Sequence, residues 1–351
     1  MKQPLILTGG RGFLGLHLVR AFLEDGRFHP VVVDLAESGK SEFPEGVDFY
    51  QGDIRDEGFM ATVFQEVAPK VLVHAAAQLP RAEPSEIQST TVGGTRLLLN
   101  LAESHGVERT VFLSSTAVYG THPSGPYRED DTELIGFGPY GRAKVDAEKL
   151  CEEARSRGQI VSIIRPKSFL GPGRMGVFQL LFDWILEGRR IPMMGSGDNA
   201  FQLLDVRDLC SAVLMLLGME TVSANRTYNI GATDYGSVRT DLEGLCAHAG
   251  TKARPISIPV APANGVLSLL YALNLSPIYP WVFRTAALDS EVDVDRILGL
   301  GWRAEYSNIR CLIDAFDWYR TEGKGSRSGP RTTGHRSPWE HGAIKVIRHF
   351  F

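Results

Sequence analysis

Tyr140 and Lys144 stand four residues apart in the stretch FGPYGRAKVDAEKL, and a helix there sets both on one face. A phenol is a poor base at neutral pH. A neighbouring ammonium lowers its pKa, so the pair becomes a usable proton acceptor and donor. Ser115, at the end of the apolar run in VFLSSTAVYG, offers a hydroxyl that can hold the same substrate oxygen. Because Tyr-x-x-x-Lys also arises by chance on surface helices, the rest of the chain has to supply the context.

That context begins at LTGGRGFLG, where Gly9, Gly10, Gly12 and Gly15 follow the apolar run Leu5-Ile6-Leu7. Glycine tolerates positive φ and lets a bulky charged group approach the backbone itself. A helix opening near Gly12 aims its free N–H groups and positive dipole end at the same loop, which suits a pyrophosphate. Gly10-x-Gly12-x-x-Gly15 matches the dinucleotide fingerprint, and Asp34 closes the next apolar strand, HPVVVDL, where an acid grips the adenosine ribose hydroxyls. Asp34 favours NAD over NADP, while Arg11 inside the loop keeps NADP open as a second cofactor. The positive charge of an oxidised nicotinamide ring would further lower the Tyr140 pKa.

The elements that position these residues follow from a βαβα rhythm. Runs such as LILT, PVVVD, KVLVHAAA, RTVFLSS and IVSIIRP alternate with segments of helical apolar spacing such as Thr95 to Glu103. Strands rich in Val, Ile and Leu with little polar alternation belong to a parallel sheet buried on both faces. The expected fold is therefore α/β, a Rossmann doubly wound parallel sheet with a smaller C-terminal substrate lobe. Residues 1–166 are expected to form the NAD-binding domain and 167–319 mainly the substrate lobe, with a segment of about 203–231 returning to the first domain. Phe178, Phe182 and Trp184 read as core rather than as a sugar-stacking face.

With 351 residues, 43% hydrophobic and 22% charged, the chain has enough apolar material for a sizeable core. No signal-like or membrane-spanning apolar run is evident, so the expected location is the cytoplasm. Cys151, Cys210, Cys246 and Cys311 lack CxxC spacing and read as reduced, buried or incidental thiols, and the histidines show no metal-ligand spacing. From Arg320 to Phe351 a basic Gly/Ser/Pro-rich connector leads to WEHGAIKVIRHFF, in which Trp339, Ala343, Ile344, Ile347 and Phe351 gather on one helical side. This tail is expected either to dock on protein or to give a peripheral contact with the inner face of a membrane.

In order and spacing, TGGRGFLG, Gly52-Asp53-Ile54, His74-Ala75-Ala76, Ser114-Ser115, Val118-Tyr119-Gly120, YGRAK and Arg165-Pro166 resemble the extended short-chain dehydrogenase/reductases, the NAD-dependent epimerase/dehydratase group. The stretch LGWRAEYS, at Leu300 to Ser307, is similar to one near the end of nucleotide-sugar epimerases. The resemblance implies Ser115, Tyr140 and Lys144 as catalytic residues. It implies a cofactor site built from Gly9, Gly10, Arg11, Gly12, Phe13, Leu14, Gly15 and Asp34, with Asp53 and Ile54 at the adenine. Ala75, Ala76, Ala77, Ser114, Pro166 and Ser168 would line the rest, and Lys144 would also hold the nicotinamide ribose. Gln78, Arg81, Thr116, Ser168, Arg174, Phe201 and Arg207 are candidate substrate contacts. The expected partners are a small-molecule substrate and a second copy in a homodimer, with no nucleic acid.

Departures from the pattern shape the expected substrate. Thr116 and Ala117 stand where sugar-nucleotide dehydratases carry an acid pair, which sets water elimination aside. Thr91 and Ser168 replace frequent asparagines. Phe201 stands where many nucleotide-sugar enzymes aim an arginine at the diphosphate, with Arg207 or Arg174 as substitutes. An apolar residue there is similar to the 3β-hydroxysteroid dehydrogenase branch. Three functions stay open: an epimerase of a sugar or nucleotide-sugar working through a keto intermediate, a dehydrogenase or ketoreductase of a hydrophobic secondary alcohol, and a non-catalytic NAD-binding protein.

Overall fold

The computed structural model describes residues 2–35, 43–80, 82–121, 125–173, 175, 178–273, 275 and 280–323. Arg81, Arg174 and the tail from 324 onward, including Trp339 to Phe351, lie outside them. The strands are β1 (Gln3–Thr8), β2 (Phe28–Asp34), β3 (Asp48–Gln51), β4 (Val71–His74), β5 (Arg109–Leu113), β6 (Val161–Pro166), β7 (Phe169–Leu170), β8 (Arg190–Met194), β9 (Leu204–Asp205), β10 (Thr227–Ile230) and β11 (Arg254–Ile258). Seven of them form one parallel sheet in the order β3-β2-β1-β4-β5-β6-β10. The order reverses between β1 and β4. A crevice opens at such a switch point, outside the carboxyl ends of the two strands.

Both faces of the sheet are buried, as the sequence pattern requires. Leu5, Leu7, Val71 and Val73 join a core with helix α1 (Phe13–Asp25), whereas Ile6, Val31, Val33 and Leu72 enter a second core on the other face. That second core is closed by α2 (Glu57–Val67) and by α4 (Gly94–Ser104), which continues the short α3 (Pro84–Gln88) through a π-helical turn. The long α5 (Gly138–Ser156) packs Ala147, Leu150, Cys151 and Ala154 against Phe112, Val161 and Ile163. Each buried Leu, Ile, Val or Phe side chain contributes about 1.5–3 kcal/mol relative to exposure. All four cysteines are buried free thiols.

Beyond β6 a separate apolar core forms around α6 (Phe178–Leu186), and the chain then returns. Helix α7 (Val206–Gly218) packs on α1 in the first core, and after the short α8 (Thr221–Ala224), β10 adds the seventh strand. Phe182 and Trp184 are buried with Ile191, Leu245, Leu312 and Phe316, so the aromatic stripe of α6 is core. Helices α9 (Val238–Ala249), α10 (Val260–Ala272), α11 (Pro280–Thr285), α12 (Asp295–Leu298) and α13 (Asn308–Trp318) complete the chain, with β8 pairing β11 and β7 pairing β9. The LGW stretch returns to the first core, where Trp302 donates its indole N–H to Ser211 Oγ at 2.9 Å.

Candidate active site

At the carboxyl end of β1 the loop turns sharply at Gly9, whose φ of +74° lies in the left-handed region. A Cβ at Gly15 would stand 2.3 Å from the Gly9 carbonyl oxygen, so α1 touches the loop backbone to backbone. Gly12 caps α1 with no side-chain hydrogen bond. Arg11 N–H donates to Asp34 Oδ2 at 2.9 Å, which ties the loop to the end of β2. The Arg11 guanidinium lies over Phe49 on β3, 5.5 Å from the ring centroid.

Phe13 and Leu14 turn their side chains into the core, with Phe13 stacked on Phe169 at 5.9 Å. Any cofactor contact they make is thus through the backbone. Asp53 is held by Arg55, whose Nη2 donates at 2.6 Å, and this pairing keeps its carboxyl below the usual range. Ile54 is buried against Gly94. Ala75, Ala76, Ala77 and Gln78 are all half-buried just past β4, and small side chains there keep the crevice open beside Gly9.

His74 closes the floor of this crevice. Thr95 Oγ1 gives its single proton to the Thr91 carbonyl at 2.5 Å, so it accepts from His74 Nε2 at 3.0 Å. The other ring nitrogen, Nδ1, then accepts from Thr8 Oγ1 at 2.8 Å, a tautomer fixed by the network. Burial, reinforced by Lys144, pushes His74 down to about 3. The unfolded chain takes up that proton below the ordinary value of 6.5, whereas the folded chain resists it until about 3. Stability present above the first value is therefore lost as pH falls towards the second, at no more than about 1.4 kcal/mol per pH unit. In urea titrations between these limits, His74→Gln is expected to show a flatter acid limb than the wild type. Equal slopes would show that His74 is not the titrating group.

The chemical end of the site is assembled by a staple between two segments. Gly136 N–H donates to Val118 O at 2.8 Å and Phe137 N–H to Ala117 O at 3.0 Å, which brings the start of α5 onto the turn Thr116–Tyr119. A Cβ at Gly141 would lie 2.6 Å from Ala117 O, so the helix and the turn touch through backbone. Tyr140, half-buried, and Lys144, buried, thereby stand on a helix start packed against the turn that Ser115 caps by accepting Ala117 N–H at 3.1 Å. Lys144 Nζ donates to the Leu113 carbonyl at 2.6 Å and sits over Phe112. Burial brings its pKa down to about 8, opposed by the Glu148 carboxylate one turn on.

Several candidates are committed elsewhere. Ser114 Oγ donates to Glu148 Oε1 at 2.5 Å, so its hydroxyl supports a buried ion pair instead of facing a cofactor. Thr116 Oγ1 donates to the Pro166 carbonyl at 3.3 Å, joining β6 to the turn. The backbone of Ser168 joins β7 to β9, its carbonyl accepting Leu204 N–H at 3.1 Å, and its side chain is half-buried. Arg207, one of the expected substrate contacts, is engaged within the protein. Its guanidinium is gripped by Asp205 and by Asp314, each at 2.7 Å from Nη2, and stacks 3.6 Å from the Tyr306 ring centroid. The two carboxylates occupy its Nε and Nη2 donors.

Two residues at this end carry no signal in the motif. Glu148 pairs with Arg165 through Nε at 3.0 Å and Nη2 at 2.6 Å, and Arg165 also donates to Tyr119 OH at 2.9 Å. Lys167, next to Pro166, is buried with Nζ donating to Ser290 Oγ at 2.6 Å and 5.8 Å from the Phe201 ring centroid. Burial pushes Lys167 down to about 7, with Glu291 acting the other way. Glu148 falls at helical spacing from Tyr140 and Lys144, and that period is the one signal by which the sequence could have singled it out.

Residues 5–231 match the family model described as the NAD dependent epimerase/dehydratase family. The chain is 35% identical over 352 residues to the uncharacterized protein y4nG of Sinorhizobium fredii, covering 98% of this chain and 85% of that one. It is 25% identical over 347 residues to the UDP-glucose 4-epimerase of Streptomyces lividans, covering 93% and 98%. The crystal structure of the Thermotoga maritima UDP-glucose 4-epimerase with UDP-glucose superposes with a TM-score of 0.74 at 25% identity, covering 90% of this chain and 98% of that one. With the parallel sheet, the switch-point crevice and the matched length together, the chain belongs to the NAD dependent epimerase/dehydratase family and is an NAD-dependent enzyme of the extended short-chain dehydrogenase/reductase kind.

Proposed function

We propose that the chain is an epimerase that inverts a secondary alcohol of a nucleotide-sugar through a transient ketone. The observation that supports this reading is the stapled start of α5, which packs the helix carrying Tyr140 and the buried Lys144 against the turn that Ser115 caps. The residues fit a bound NAD. Its pyrophosphate suits the contact between Gly9 and Gly15 at the start of α1, where a Cβ would fill the space, and its adenosine ribose suits Asp34. Bound NAD supplies a hydride acceptor and donor.

In this mechanism Ser115 Oγ holds the substrate oxygen while Tyr140 Oη removes its proton. Lys144, cationic below about 8, favours the phenolate by charge. When the ketone is reduced from its opposite face, Tyr140 returns the proton to the oxygen. The protein's part is to hold the oxygen still while the sugar turns over.

Asp34 should repel a 2′-phosphate, so NAD is expected to bind more tightly than NADP and Asp34→Ala to narrow the gap. Titration of both cofactors measures this. A wild-type preference for NADP would overturn it.

A second reading, a dehydrogenase of a hydrophobic alcohol, is favoured by Phe201, an apolar residue where the resemblance expects an arginine aimed at the diphosphate. One experiment separates the two. The purified enzyme is assayed on UDP-hexoses without added cofactor, and its retained NAD is extracted and quantified. Epimerisation with retained NAD supports the first reading. Turnover that consumes added NAD and releases its reduced form sinks it. A thermal-shift panel of nucleotide-sugars and hydrophobic alcohols with NAD present narrows the substrate, since a ligand of the native state raises its stability by mass action.

A further inference from the structure

Helix α10 is built the wrong way round for a helix in water. None of its residues is buried, and it leaves Val266 55%, Leu269 61%, Tyr271 44% and Leu273 58% exposed. Val266, Leu269 and Leu273 follow at steps of three and four, so they form one outward stripe. Scattered exposed apolar residues are ordinary on protein surfaces, but a contiguous stripe marks an interaction site. The sequence around it is as unusual. From Pro255 to Phe283 there is no Asp, Glu, Lys, Arg or His, in a chain that is 22% charged.

The charges that bracket this stretch have one sign. From Gly244 to Leu288 the chain contains no carboxylate, while Lys252, Arg254 and Arg284 are exposed cations. Arg254 begins β11 in register with the exposed Arg190 of β8, and Arg284 lies in α11, which packs on α10. An apolar stripe whose flanking sequence carries only cations is complementary to an anionic, amphipathic surface.

We infer that α10 with Arg254 and Arg284 is a docking surface for an anionic lipid layer. A second copy is the poorer occupant, because a two-fold contact brings together two copies of a patch whose charges are all positive. At 13 residues α10 is shorter than the ~20 needed to cross a bilayer, and no helix among the described residues is long and apolar enough to do so. The helix lies in the plane of the interface, with its stripe among the acyl chains and the arginines at the headgroups. This inference stands apart from the proposed reaction, because no catalytic residue takes part in it.

The test uses the full chain with its tail and sucrose-loaded vesicles of phosphatidylcholine, with or without phosphatidylglycerol. Wild-type protein is expected to sediment with the anionic vesicles at low salt and to release at high salt. L269E/L273E is expected to lower the apparent affinity at least tenfold with NAD binding unchanged, and R254Q/R284Q to lower it and weaken its salt dependence. Both pairs are exposed, so the fold tolerates them. Wild type remaining in the supernatant overturns the inference. Undiminished sedimentation of L269E/L273E does so as well, by assigning the binding to another segment. If wild type fails to sediment and L269E/L273E shifts the oligomeric state in sedimentation velocity, the stripe belongs to a second copy.

Discussion

Tyr140→Phe is expected to lower turnover on the true substrate by a factor of ~10²–10⁴ while leaving NAD affinity nearly unchanged, the usual scale for a positioned acid–base group. The substitution removes one oxygen and leaves the staple intact, because Gly136 and Phe137 bond through their backbones. The loss should therefore appear in kcat more than in KM. Lys144→Ala is expected to damage both quantities, since Lys144 also closes on the Leu113 carbonyl in a buried site. Steady-state kinetics with a parallel cofactor titration separates the two variants. A Phe variant with wild-type kcat would remove Tyr140 from the proton-transfer role.

The parts of the molecule that short-range backbone geometry dictates were legible in the sequence. The glycine loop is one, because only glycine permits the +74° φ at position 9 and the approach at position 15. The parallel sheet is another, since Leu5 and Leu7 face one core while Ile6 faces another, and an unbroken apolar run is what such a strand needs. What escaped the sequence depends on which way a side chain turns after long-range packing. Phe13 lies inside the fingerprint, yet it stacks on Phe169 because α1 rolls its apolar side onto the core. Arg207 follows an apolar strand towards the crevice, but Asp205 and Asp314 reach it first, the latter from 107 residues along the chain. The contact between Lys167 and Ser290 spans 123 residues, and no period or spacing in the sequence announces it.

The ion pair behind α5 sets the second large expectation, in stability instead of rate. Glu148 and Arg165 are both almost fully buried, at 4% and 5% side-chain exposure. Glu148 Oε1 also accepts the Ser114 proton, and Arg165 also serves Tyr119 OH and the Glu129 carbonyl at 3.1 Å. Removing one charge leaves the other stranded where water cannot reach it, which costs about 3–5 kcal/mol for a buried pair. Glu148→Ala is therefore expected to lower stability by that amount in denaturant titrations. Glu148→Gln keeps the shape and one acceptor oxygen but still strands the Arg165 charge, so it should recover only part of the loss. The carboxylate has a second effect through Lys144, whose pKa it raises against the pull of burial. Without it the Lys144 ammonium titrates lower, and the alkaline limb of the pH–rate profile should move to lower pH in Glu148→Gln. A merely structural glutamate would change the denaturation midpoint and leave that limb where it is. If both variants unfold at the wild-type midpoint, the pair contributes nothing net, and the position of α5 rests on apolar packing alone.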